Sequence, residues 1–217
     1  TVFAGLAPVS SGGDSIGGTI LVESSAPEFA KEGQGLLLKG EAGAFYRSNG
    51  NAYGGNLSAT IASEGLSVTY NGSTAESDNY TAGDDFKSYT ATGRAGHTLP
   101  RDEVGSTAYE TRNHTLGLAL RGGPHLVEAK LGYQDLPFQN YPNQRMDMTE
   151  NTQLRLNLRY LGQFDWGSLE ARAYREKVDH KMDFGDDRRF WYGPASNSGS
   201  SGIPCFPIGP SCAAGMP

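Results

Sequence analysis

Two short stretches of the chain carry side chains with soft donor atoms. Met146 and Met148 stand two positions apart, and His180 and Met182 repeat that spacing further along. Thioether sulfur and imidazole nitrogen suit Cu(I) or Cu(II) far better than they suit hard cations. On an extended segment each pair would project to one side, so both side chains could contact the same ion. The alternative interpretation is that these methionines only fill gaps between packed segments.

The two cysteines, Cys205 and Cys212, lie in a stretch rich in Gly, Ser and Pro. In an oxidising compartment such a pair would close a loop as a disulfide, and we expect a Cys205–Cys212 bond if the protein is exported. The other interpretation is two unrelated thiols. Two cysteines at this spacing match no compact zinc signature.

No set of catalytic residues stands out, so we expect a protein that is not an enzyme and needs no resident cofactor. The histidines are scattered along the chain, at His97, His114, His125 and His180. No Gly-x-Ser-x-Gly or His-Glu-x-x-His motif occurs. The formal net charge of -6 argues against a nucleic-acid-binding protein, which would carry a basic patch.

Apolar and polar residues alternate strictly in seven segments, which is the period of a β-strand with two different faces. In the clearest segment Leu154, Leu156 and Leu158 point one way, whereas Arg155 and Arg159 point the other. The seven segments are 36–44, 56–61, 66–71, 115–121, 127–134, 154–164 and 169–174. The sequence therefore predicts an all-β, antiparallel fold.

The connections between these segments differ in length. Tight turns are predicted at 63–65, 122–124 and 165–167, and long polar stretches at 77–107, 136–151 and from 184 onward. Short turns at one end and long loops at the other are typical of bacterial outer-membrane barrels. A soluble β-sandwich could also contain seven such strands. A sandwich fold does not explain why the long loops are all at one end, or why the second face of the strands carries so many charged residues.

A seven-stranded membrane barrel could not close, and an open sheet edge in lipid is prohibitive. We therefore expect the chain to be part of a longer protein and not to fold by itself.

The glycine-rich opening of the chain fits neither a dinucleotide fingerprint nor a phosphate-binding loop. Its segment Ser15-Ile16-Gly17-Gly18-Thr19-Ile20 resembles the end of the plug domain in TonB-dependent receptors, where a small-residue turn and a β-branched strand precede the barrel. The resemblance implies that residues 1–30 are the end of a plug and residues 31–217 are the first part of a transmembrane β-barrel. It also implies a full barrel of about 22 strands.

A narrower resemblance lies in residues 136–149 and in Val178-Asp179-His180-Lys181-Met182-Asp183, which are similar to stretches of TonB-dependent copper receptors. The Gly-Gly-Asp-Ser-Ile-Gly-Gly opening departs from the form associated with that group. The resemblance implies energy-coupled uptake of a metal ion, with copper possible, or of a metal–siderophore complex. The expected location is the outer membrane of a Gram-negative bacterium, and the expected partners are the TonB protein and outer-membrane lipid.

Two other classes of function stay open on the sequence. A passive porin or specific channel would have the same strands but no plug. A soluble extracellular β-sandwich would bind a partner or a glycan, and its apolar faces would pack against each other instead of against lipid.

Overall fold

The computed structural model describes residues 2–5, 17–21, 25–92, 96–142, 144, 146–187, 190–191 and 204–205. Its strands are β1 (Val2–Ala4), β2 (Gly18–Ile20), β3 (Leu37–Arg47), β4 (Ala52–Ala62), β5 (Leu66–Ser77), β6 (Tyr109–Gly122), β7 (His125–Gln139), β8 (Asp147–Phe164), β9 (Gly167–Asp183), β10 (Phe190–Trp191) and β11 (Pro204–Cys205). A 3-10 turn, Asn49–Asn51, joins β3 to β4. Within these residues no helix has the length and apolar character needed to cross a membrane.

Strands β3 to β9 form one sheet in chain order, and each strand pairs antiparallel with the next. Two small two-stranded sheets, β1–β2 and β10–β11, stand apart from it. Apart from Leu36, which precedes β3, each of the seven alternating segments of the sequence lies in one strand of the large sheet. The prediction of an all-β, antiparallel fold is therefore confirmed.

The sheet has one apolar face and one polar face. Residues paired across antiparallel strands share a face, and Leu118 pairs with Val68 on one side and with Ala129 on the other. Other rows of this face are equally apolar, and many of its side chains remain exposed, including Leu57, Leu116, Leu131 and Leu156. We call it the apolar face. Soluble domains seldom expose an apolar area as wide as this one.

The opposite, polar face is contacted by the segment that precedes the sheet. Glu28 forms an ion pair with Lys39 at 2.6 Å, and the Ala30 amide donates to the Ser63 carbonyl at 3.1 Å. The Arg121 guanidinium lies 4.3 Å from the centre of the Phe29 ring. A cavity of 410 Å³ is left between this segment and the strands. Residues 25–31 therefore lie against the polar face near the short turns.

The connections agree with the prediction at one end of the sheet and differ at the other. Short turns join β4 to β5, β6 to β7 and β8 to β9, as predicted. The connection over 78–108 is long, and β3 and β4 are joined by the short turn at 48–51. The predicted long connection over 136–151 is wrong for most of its length, because pairing of β7 with β8 continues to Gln139 and Met148.

Gly54 of β4 lies against β3 and β5 with no room for a side chain, and this contact gives a test of the sheet. A Cβ atom at Gly54 would come within 2.6 Å of both the Thr74 carbonyl oxygen and the Phe45 ring. The backbone would have to shift, so we expect Gly54→Ala to lower the free energy of unfolding by about 1–3 kcal/mol. Urea unfolding of the full-length protein in detergent measures this change. Gly122→Ala is the matched control, since nothing lies within 4 Å of its added Cβ; equal stability of Gly54→Ala and wild type would contradict the tight approach.

Candidate metal site

Two of the four candidate ligands are paired in the sheet. Met148 of β8 lies opposite Met182 of β9, and Met148 also lies opposite Gln139 of β7. Side chains of a directly opposed pair share one face, with Cβ atoms about 4.5–5.5 Å apart. Met148 is buried, at 5% exposure, and Met182 is half-buried. The register therefore places two thioethers side by side.

His180 belongs to the same face as these two methionines. It precedes Met182 by two residues in β9 and pairs across the sheet with Asn151. Its Nδ1 lies 3.0 Å from the Asn151 side-chain oxygen. In the tautomer with the proton on Nδ1, that oxygen accepts the hydrogen bond and Nε2 has the lone pair that a metal would need. An outer hydrogen bond of this kind orients a metal-binding imidazole.

Met146 lies outside the two strands that contain the other three candidates. It stands one residue before β8 and is half-buried. The strand alternation that would place it beside Met148 therefore does not extend to it. The structure brings together Met148, His180 and Met182, and it leaves Met146 in the adjoining connection.

A bulge decides which face Met148 occupies. Counting back by two from Leu154 would put Met148 on the apolar face, but the register shifts between Met148 and Glu150. One extra residue in β8 reverses the direction of every side chain beyond it. The sequence carries no clear signal for this bulge, and Asn151, the hydrogen-bond partner of His180, was also missed.

The polar face away from these residues holds a ladder of charges. Arg159 of β8 contacts Glu128 of β7 at 3.0 Å and Glu170 of β9 at 2.8 Å, and Arg172 contacts Glu170 at 2.5 Å. The two ion pairs of Arg159 join β8 to the strands on either side of it, whereas the Arg172–Glu170 pair lies within β9. In the described part of the chain, no three or more His, Cys, Asp or Glu side chains gather in a group that could hold a metal ion.

Only parts of the predicted Cys205–Cys212 disulfide and of the plug motif fall within the described residues. Cys212, Ser15 and Ile16 lie outside the described residues. The disulfide and the assignment of residues 1–30 to a plug stay predictions.

The charge ladder gives a prediction about stability. Glu128 is 6% exposed, so removing Arg159 leaves a nearly buried carboxylate without its partner. We expect Arg159→Met to lower the free energy of unfolding by about 1–3 kcal/mol. Adding Glu128→Gln should recover part of that loss, since the unpaired charge is then absent. Urea unfolding of the two single variants and the double variant in detergent measures the coupling, and strictly additive effects would show that the contact contributes nothing.

Comparison with known proteins gives a match in structure. No family model matches the chain, and no curated protein matches its sequence. Among solved structures, the copper transporter OprC matches with a TM-score of 0.66 and 22% identity over 87% of this chain. The chain spans 26% of the length of that protein. The fold is therefore similar to part of a copper transporter, and the resemblance to TonB-dependent copper receptors predicted from the sequence is confirmed at the level of the fold.

Proposed function

We propose that this chain is part of an outer-membrane β-barrel that takes up copper. The observation that carries the proposal is the register of β8 and β9, which gathers Met148, Met182 and His180 on the polar face of the sheet. The fold similarity to a copper transporter supports the same substrate.

The two faces of the sheet support a membrane barrel. An exposed apolar face costs little in lipid, whereas the polar face would line a wet or plugged lumen. Among the described residues β3 and β9 are the edges of the large sheet, and open edges are not tolerated in a bilayer. In our proposal further strands, to a total of about 22, complete the barrel. Such a barrel belongs in the outer membrane of a Gram-negative bacterium.

The segment before the sheet supports an occluded lumen. Residues 25–31 lie against the polar face through the Glu28–Lys39 ion pair and the Arg121–Phe29 contact. In our proposal residues 1–30 are the end of a plug, and 25–30 are its last residues. Transport would then need the plug to be remodelled, which is the role we assign to the energy-coupling protein TonB. A passive porin has no need of such a segment.

The donor atoms favour copper over a metal–siderophore complex. Thioethers bind Cu(I) well and imidazole binds either copper state, whereas the metal of a siderophore is already surrounded by its chelator. In the proposed mechanism the two thioethers and Nε2 of His180 capture copper at the lumen wall. The contact with Asn151 orients the imidazole ring.

Copper retention tests the site directly. Leucine matches methionine in volume but has no sulfur, so we expect Met148→Leu/Met182→Leu to fold normally and lose stoichiometric Cu(I). Affinity is measured by competition with a chromophoric Cu(I) chelator, using the full-length protein in detergent. Met216→Leu, which changes a methionine outside the described residues, is the matched control. Undiminished copper in the double variant would remove copper from the proposal and leave siderophore uptake as the better substrate.

Charge placed on either face tests the membrane orientation of the sheet. Leu118 lies on the apolar face, and Thr115 on the polar face pairs with Asn71. An arginine on the lipid side near the bilayer midplane costs about 2–4 kcal/mol, whereas a lumen position tolerates charge. We expect Leu118→Arg to reduce strongly the folded protein recovered from outer membranes and Thr115→Arg to leave it near wild type. The reverse order would show that the apolar face does not meet lipid.

A further inference from the structure

A buried carboxylate stands between the two methionines at the start of β8. Asp147 is 1% exposed. One of its oxygens accepts from the Ser106 hydroxyl at 2.7 Å, and the other accepts from the Tyr141 amide at 2.9 Å. These bonds fix the residue directly before Met148 to two different connections, 78–108 and 140–146.

Ser106 links this carboxylate to a second one. Its backbone amide donates to Asp187 at 2.7 Å while its hydroxyl donates to Asp147. Ser106 is 2% exposed and has φ +59°, a conformation that is uncommon for a residue other than glycine. Strained backbone of this kind persists only where its surroundings hold it and is frequent near functional sites.

The turn after β9 closes over the same carboxylate. Gly185 has φ +63°, and a Cβ atom there would lie 2.4 Å from an oxygen of Asp147. Asp187 in this turn also accepts from the Asn79 side-chain amide at 3.1 Å. Three connections therefore meet at Asp147, beside the paired methionines. We name Ser106, Asp147 and Asp187 the carboxylate clasp.

The bulge in β8 explains why the clasp is needed. A strand with one buried apolar face resists a slip by one residue. At the start of β8 that resistance is weak, because the register with the bulge and the register without it both place only methionine or polar residues on each face. Without the bulge, Met148 would turn to the apolar face and away from Met182. A fixed Asp147 prevents that change, because the slip would pull its carboxylate out of the bonds to Ser106 and Tyr141.

We propose that the carboxylate clasp is a positioning device that keeps Met148 opposite Met182, so that loop 78–108 controls copper binding without contacting the metal. The inference rests on the copper site proposed above. Ser106 and Asp147 would affect copper binding only by positioning Met148, and the loop 78–108 would therefore be part of the site.

The decisive variant is Ser106→Gly, which tolerates the positive φ and removes the hydroxymethyl side chain that donates to Asp147. We expect Cu(I) affinity to fall roughly tenfold, as is usual when a group that orients a metal ligand is lost. We also expect the number of sulfur neighbours of bound copper, counted by X-ray absorption, to fall from two to one. Asn49→Ala is the control, because Asn49 anchors the start of the same loop through Thr81 and does not touch the clasp.

The sulfur count separates positioning from mere stabilisation. A variant that only loosens the protein keeps both sulfur neighbours on whatever copper it binds, and that result would overturn the proposal. Asp147→Ala should reproduce the effect of Ser106→Gly, whereas Asn49→Ala should retain two sulfurs and wild-type affinity.

A measurement without copper distinguishes failure of this inference from failure of the copper site. In Met148→Cys/Met182→Cys, the added oxidant diamide should take two electrons and two protons from the thiols and form a disulfide rapidly, since an opposed pair lies within bonding reach. Adding Ser106→Gly should slow that reaction severalfold. An unchanged rate of disulfide formation would contradict the role proposed for the clasp, even if copper binds as proposed. If disulfide formation slows but copper affinity does not depend on Met148 and Met182, the clasp is supported and the copper site is rejected.

Discussion

The hydrogen-bond register of the seven-stranded sheet is the constraint on which every other feature depends. Each strand fixes which side chains of the next share its face, and this chain of pairings runs unbroken in order from β3 to β9. A slip by one residue at any ladder would exchange the apolar and polar faces beyond it. Tight approaches such as Gly54 against the Thr74 carbonyl leave little room for such a slip.

The same group of Tyr, Gly and His occurs twice on the apolar face. Each group shows how packing stabilises the register where a glycine weakens a strand. The Tyr70 ring covers Gly72 and its hydroxyl bonds Nδ1 of His114 at 2.8 Å; Tyr160 covers Gly162 and bonds His125 in the same way. In each case the histidine is the direct partner of the glycine across the ladder. An aromatic ring over a glycine restores the packing that the missing side chain forfeits. Two polar–aromatic groups thus lie on either side of the leucines Leu116, Leu118 and Leu120.

Sequence reasoning could reach the parts of the fold that follow a strict period. The seven strands and their two faces were predictable because leucines such as Leu154 and Leu156 alternate with charged residues. The extension of β7 to Gln139 was not, since Pro137 and the polar residues near it read as loop. The face of Met148 was also beyond reach, because the bulge before Glu150 depends on pairing with a strand thirty residues away. Local pattern contains no record of such a partner.

Two requirements, rigid ligands and access for a substrate, bear on where the candidate site lies. A metal site needs ligands held within fractions of an ångström, which strands provide better than loops. The copper site proposed above would also have to lie near the end of the sheet, where a substrate can enter. Met148, His180 and Met182 are therefore on strands, but at their ends, where pairing alone is weakest and a bulge already interrupts it. The bonds that Asp147 receives from Ser106 and Tyr141 add rigidity at the point where the ladder supplies least. The long loop 78–108 is therefore as much a part of the scaffold as the strands, because its Ser106 holds Asp147, the residue directly before Met148.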